Sequence, residues 1–298
     1  MGMLPAVERA SEPETMPWQF APGLGPVVVL IAMALVVGAS FAGTPDSGVN
    51  GIERVLAGDH RSDRNRARDV YRHPKETLQF FGLRPEMRVV EVWPGGGWYT
   101  EVLAPLLRER GKFYAAHYFV NEDTHRYYRE ARRTFLEKLA ERPDLYDRVV
   151  VTGLLPPHVD LAPKASMDLV LTFRNVHNWI KEDYQQQMFN AFFAVLKPGG
   201  VLGVVEHRAN AGTSIPDMIR SGYVTEAYVI ELAQKAGFQL TARSEVNANP
   251  IDTKDHPHGV WTLPPTLRLR SGWFGSDERE RYLAIGESDR MTLKFIKP

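Results

Sequence analysis

The chain has 298 residues, 44% hydrophobic and 24% charged, which suits one large globular domain or two small ones. Lys+Arg and Asp+Glu both number 36, so no global field recruits nucleic acid or an anionic membrane. Cysteine is absent, which removes thiolate catalysis, zinc–thiolate sites, iron–sulfur clusters and disulfides, and leaves the redox compartment open.

The first distinctive element is an uncharged apolar run from Pro26 to Ala42, centred on Val27 to Val37 and followed by small residues around Ser40-Phe41-Ala42. It reads as a signal-peptide core with a cleavage site. It is shorter than the ~20 residues of a membrane span, although Leu24 to Gly43 just reaches that length. The region before it is acidic (Glu8, Glu12, Glu14), with Arg9 its only cation, so a start at Met16 or an uncleaved anchor are the alternatives. The expectation is export to the periplasm, free or anchored by this segment; without a working signal the chain is cytoplasmic. Residues 1–45 are set apart from the fold.

Residues 46–86 read as an N-terminal helical cover. Asp46 to Arg68 is polar, with helical character growing from Ile52, and Lys75 to Phe81 is a short amphipathic helix stopped by Gly82 and Pro85. From Met87 apolar strands alternate with helices, the pattern of a doubly wound, mostly parallel sheet. The predicted strands are 88–93, 112–117, 147–152, 167–173, 200–206, 238–246 and 291–296; the helices are 98–109, 122–140, 181–195 and 224–236. Strand 167–173 is nearly all apolar, as expected when both faces are covered. Residues 247–290 are too long for a simple connection and leave the carboxyl edge of strand 238–246, so they are expected to form a lid.

The stretch Val89 to Thr100 carries the most information. An apolar strand ends around Glu91, and Gly95-Gly96-Gly97 then turns the backbone into a helix. Glycines let the main chain approach a ligand closely, and the helix start offers free N–H groups. The spacing fits neither the dinucleotide fingerprint nor a phosphate loop, which disfavours a nicotinamide oxidoreductase. A tight turn without a ligand is the plain alternative.

These residues resemble the Rossmann-like, S-adenosylmethionine-dependent methyltransferases from about Met87 to Phe238, and to Ile296 if the last strand returns antiparallel. Within that superfamily the sequence looks like a bacterial group of predicted methyltransferases, through Tyr71–Thr77, Val89–Glu101, Leu171–Trp179 and Leu196–Gly203. The resemblance implies a Rossmann-like α/β fold with a seven-stranded sheet whose last strand is antiparallel. It also implies S-adenosylmethionine as cofactor and a small-molecule substrate. Glu91, Gly95, Gly96 and Gly97 fall on the cofactor motif, with Trp93 in place of its first glycine. The usual ribose-binding acid is missing after the second strand, where His117 stands instead. Thr152 and Gly153 fall where the adenine is usually bracketed, and ordinary strand ends are the alternative. The fourth strand runs out into Arg174, Asn175 and His177; the last two point the same way if the backbone is extended there. Arg174 is expected beside the cofactor, with His177 and Asn175 as catalytic or orienting groups. His177 as a simple helix-entry residue stays open. Tyr71, His73, Tyr99 and Glu206 are candidate substrate contacts, with Arg72 and His207 beside them.

No metal site is expected: Asp252, Asp255, His256 and His258 read as solvated loop polarity. The basic helix face within 126–142 reads as solvated, so no nucleic-acid partner is expected, and oligomeric state is left open. Export conflicts with a cofactor kept in the cytoplasm. The rival reading is therefore an exported, non-catalytic ligand-binding protein on a methyltransferase fold.

Overall fold

The computed structural model describes residues 48–269 and 275–298. The apolar run at 26–42, and with it the export expectation, lies outside the described residues. No helix among them is long and apolar enough to cross a membrane.

Eight strands form one sheet: β1 (Arg88–Val92), β2 (Lys112–His117), β3 (Val150–Leu155), β4 (His158–Val159), β5 (Met167–Phe173), β6 (Leu196–His207), β7 (Gln239–Ser244) and β8 (Arg290–Ile296). Their order is β4-β3-β2-β1-β5-β6-β8-β7. β8 runs antiparallel to both neighbours and β4 antiparallel to β3, while the other pairings are parallel.

Side chains alternate across the central strands. Val89, Phe113, Leu169 and Leu171 join one core with the helices Pro74–Phe81 and Thr100–Leu107. Val90, Tyr114, Val170 and Val204 join the other, under the helices Gln185–Val195 and Glu226–Lys235. Helices on both faces are why these strands read as unbroken apolar runs. The chain leaves β1 toward β2 on one side, and β5 lies on the other. This reversal opens a crevice at the carboxyl ends of the strands, where ligands bind in such sheets.

The sequence places most elements but not all their bounds. β4 is an added strand, a short hairpin on β3. β3 starts three residues later than predicted, because Pro143–Tyr146 is a further short helix and the turn after it uses Asp147 to Val149. The predicted helix 181–195 starts at Gln185, and a separate short helix, Val176–Lys181, precedes it across a break near Asp183 at φ +56°. A helix at Ile215–Ser221 was not predicted; Ser214 caps it by accepting from the Asp217 N–H, and Gly222 ends it at φ +75°.

The segment 247–290 contains the 3₁₀ turn Gly259–Thr262 and the helix Gly275–Ile285. Its described residues do not roof the crevice. They lie beyond the carboxyl end of β6 and the amino end of β8, with Gly259 pressed against the Ser221 backbone and Asn247 donating to Thr77 and Thr292. Nor is its polar run solvated throughout. Asp252 is buried, accepts from Tyr223 O–H at 2.9 Å and pairs with buried His256 at 2.8 Å.

Candidate cofactor and substrate site

β1 ends in a sharp change of backbone direction. Trp93 takes φ +47°, Gly95 φ +57° and Gly97 φ +78° before the helix Thr100–Leu107 begins. A Cβ placed on Gly95 or Gly96 would meet nothing within 4 Å, whereas on Gly97 it would lie 3.2 Å from Phe135 and 3.4 Å from Thr100. The first two glycines therefore present bare backbone to open space, and the third serves packing. The space is a cavity of about 800 Å³, within the size range of small-molecule sites. Its floor includes Glu91, Trp93, Gly95 and Gly96, and Tyr118, Tyr127, Arg174 and Asn175 line other parts.

The glycine loop is braced from several elements. Buried Glu91 accepts from the Thr100 hydroxyl at 2.7 Å. Burial pushes its carboxyl up to about 7, against the opposing effects of Thr100, Lys138 and Arg174. Lys138 donates to Gly96 O at 3.0 Å and pairs with Glu101 at 2.6 Å. Asn175 Nδ2 donates to Val92 O at 2.9 Å.

Trp93 stands where the resemblance drawn from the sequence expects a glycine. Its buried indole donates to Leu154 O at 2.7 Å and packs on Tyr118 and Trp179. Left-handed backbone costs a non-glycine residue about 1–2 kcal/mol, and emptying a large aromatic site costs about 3–5 kcal/mol. Trp93→Gly is thus expected to destabilise the protein by a net ~2 kcal/mol, read from urea unfolding midpoints. Unchanged stability would show that the indole contributes nothing beyond its strain.

The sequence assigns the roof to residues 52–81 and 247–290 together, and the N-terminal helices brace one side of the cavity. Asn65 Nδ2 donates to Glu101 at 2.8 Å, Trp98 Nε1 donates to Asn65 O at 3.0 Å, and His60, Arg68 and Arg72 line the cavity. Tyr99 stacks on Phe173 with ring centres 3.6 Å apart. Arg174, at φ +60°, follows that wall, and its N–H donates to Val205 O.

Of the predicted residues, Arg72, Glu91, Gly95, Gly96, Tyr99, Arg174 and Asn175 line one cavity. The others lie outside that lining. His117 is fully buried: Nε2 faces Gly95 O at 3.3 Å and Nδ1 accepts from the Tyr118 N–H at 2.8 Å, so one nitrogen serves the glycine loop and the other its own strand end, and neither serves a ribose. Burial pulls its pKa down to about 4, which keeps the ring neutral. Thr152 donates to Leu161 O, and the Phe119 ring lies over Gly153. Tyr71 packs on Gly286, and His73 forms the left-handed joint between two helices at φ +39°.

Asn175 and His177 do not share an extended strand, because the chain turns at Arg174 and Asn175 sits at the N-cap of Val176–Lys181. His177 Nδ1 meets Glu206 Oε1 at 3.0 Å. Glu206 also accepts from the N–H groups of Val176 at 2.6 Å and His207 at 2.8 Å. His177, Glu206 and His207 bring ligand-type atoms within 4.8 Å, but these bonds already occupy the carboxylate. Sequence reasoning missed Phe173, Lys138, Arg68 and Glu287. The spacing of Arg64, Arg68 and Arg72, four residues apart, was an available signal for the arginines.

No protein-family model and no curated protein matches the sequence. Among solved structures, the [4+2]-cyclase SpnF aligns with a TM-score of 0.51 at 18% identity, covering 81% of this chain and 85% of that one. A "putative sarcosine dimethylglycine methyltransferase" from Galdieria sulphuraria aligns with a TM-score of 0.51 at 13% identity, covering 82% and 90%. The chain has the class I methyltransferase fold. An Aquifex aeolicus SAM-dependent methyltransferase is 22% identical over 61% of this chain and 87% of that one, with a TM-score of 0.48. In this methyltransferase fold the bare glycine backbone sits at the strand-order reversal, and the last strand returns antiparallel as expected.

Proposed function

We propose that the chain binds S-adenosylmethionine over Gly95 and Gly96 and transfers its methyl group to a small-molecule acceptor in the same cavity. The observation that carries this reading is the open space above those two glycines, a cradle that any Cβ would begin to fill. When bound, the cofactor supplies an electrophilic methyl group on a sulfonium. The chain supplies placement, which matters more than acid–base power in an in-line displacement. Glu91 and Lys138 fix the loop, Asn175 ties it to the end of β5, and the Tyr99–Phe173 pair forms an apolar wall against water. Tyr118 and Tyr127 offer hydroxyls toward the ribose in place of the missing acid; burial keeps the Tyr118 phenol protonated. His177, held by Glu206 outside the cavity lining, acts as a positioning residue for the turn after β5.

Calorimetric titration of the full chain with S-adenosylmethionine and S-adenosylhomocysteine tests the reading. Micromolar binding is expected; absence of both from folded protein would end it. The Glu91 value adds a pH signature. Its raised pKa means the folded state is favoured by this group below about 4.5, and the advantage is lost as pH rises through about 7. A sulfonium prefers the ionised carboxylate. The preference for S-adenosylmethionine over S-adenosylhomocysteine should therefore grow about threefold to tenfold from pH 6 to pH 8. The amino-acid groups common to both ligands cancel in that ratio. Glu91→Gln should flatten it, and an equally steep profile in the variant would remove Glu91 from the sulfonium's environment.

A further inference from the structure

The cavity ends, beyond the Tyr99–Phe173 wall, on a concentration of positive charge that the methyl-donor site does not require. Arg68, Arg72, Arg174 and Arg290 converge on one carboxylate, Glu287. Arg68 Nε lies 2.6 Å from it, Arg290 Nη2 2.6 Å, Arg72 Nε 3.1 Å and Arg174 Nη1 3.6 Å. The nearby acids offset this only in part. Four guanidiniums face Glu287 and Glu206, the latter attracting Arg174 while it accepts from Val176, His177 and His207, and Asp289 pairs with Arg208 and Lys254. Arg72 is the decisive member. It is 2% exposed, its guanidinium lies over the Trp98 ring at 4.7 Å, and its Nη1 is buried with no hydrogen-bond partner among the described residues. Arg68, Arg72 and Arg174 line the main cavity, and Arg72 and Arg174 close its end by packing with Tyr99, Phe173, Val205 and Arg290.

Buried guanidiniums in excess of their counter-ions are unfavourable unless something anionic completes them. Arginine forks, unlike ammonium groups, match the planar geometry of carboxylate and the oxygens of phosphate. The glycine loop is braced by His117 from β2 and by Lys138, whereas this cluster is braced by Glu287 at the start of β8. A donor seated on Gly95 and Gly96 and reaching toward Tyr118 and Tyr127 leaves the arginine end free for the second reactant.

We infer that the methyl acceptor is an anion, a carboxylate or a phosphate, held by Arg68, Arg72 and Arg174; this rests on the methyl-donor reading of the glycine loop.

The test uses the full chain saturated with S-adenosylhomocysteine, titrated calorimetrically with inorganic phosphate and, separately, benzoate. At least one anion is expected to bind the loaded protein. Arg72→Met should weaken that binding at least tenfold and shift S-adenosylhomocysteine affinity less than twofold. If Arg72→Met does not fold, the more exposed Arg68→Gln carries the same expectation. Arg72→Lys should restore less than half of the loss in free energy, since it returns charge without the fork. Two results overturn the inference. One is that neither anion binds the loaded protein. The other is that S-adenosylhomocysteine expels the anion while methylthioadenosine, which lacks the amino-acid carboxylate, does not; the arginines would then hold the cofactor's own carboxylate. Failure of the parent reading looks different: neither nucleoside binds, while arginine-dependent anion binding persists on the free protein.

Discussion

Gly95→Leu is expected to fold and to lose S-adenosylmethionine binding by at least about 100-fold, or about 3 kcal/mol. Two structural facts separate the stability effect from the binding effect. A Cβ at Gly95 meets nothing within 4 Å, so the new side chain enters the cavity rather than the protein interior. The backbone stands at φ +57°, which costs a leucine about 1–2 kcal/mol and lowers the melting temperature by a few degrees. Gly97→Leu makes the contrast. There a Cβ comes within 3.2 Å of Phe135 and 3.4 Å of Thr100, so overpacking of about 1–3 kcal/mol adds to the strain at φ +78°. Loss of binding in that variant should be accompanied by a much larger fall in stability. Calorimetry and urea unfolding on both variants give the comparison. Wild-type affinity in folded Gly95→Leu would remove the glycine loop from the site.

The fold was legible because its strands are covered on both faces: β1 and β5 announce themselves as apolar runs, and the Gly95–Gly97 turn marks the crevice. The residues of that crevice within a few positions of a strand end were legible too, namely Glu91, Tyr99, Arg174 and Asn175. What stayed hidden depends on backbone direction or long-range pairing. His117 sits at the right strand end, but its two ring nitrogens are spent on Gly95 and Tyr118. His177 looked like a neighbour of Asn175 only on an extended backbone, and the left-handed turn at Arg174 carries it into a helix. The roof was assigned to 52–81 and, from connectivity alone, also to 247–290. The hydrogen bonds that fasten Asn65 to Glu101 and Trp98 span more than thirty positions and leave no periodic trace. Glu287 is the extreme case, joined to Arg68 and Arg72 across 219 and 215 positions.

That separation makes Glu287 the most demanding test of the structure, because one carboxylate ties the N-terminal helices to the last strand. Burial pushes its carboxyl up, but the combined attraction of Arg290, Arg72, Arg174 and Arg68 prevails and holds it at about 2. A depressed acid stabilises the folded state above its unfolded value of 4.5, and that contribution is lost as pH falls toward about 2. The wild-type protein should therefore lose about 3 kcal/mol from this group across that interval. Glu287→Gln keeps the shape and removes the charge, leaving four guanidiniums around a neutral amide. Breaking a buried ion pair in this way costs about 3–5 kcal/mol at neutral pH. The variant should also lose this part of the acid dependence, since nothing remains there to protonate. Added phosphate should recover stability in the variant more than in the wild type, because an external anion can take the place of the missing carboxylate. Chemical denaturation from pH 2 to pH 8, with and without phosphate, measures all three effects. A variant as stable as the wild type, with the same acid slope, would mean that the four arginines are neutralised by some group other than Glu287.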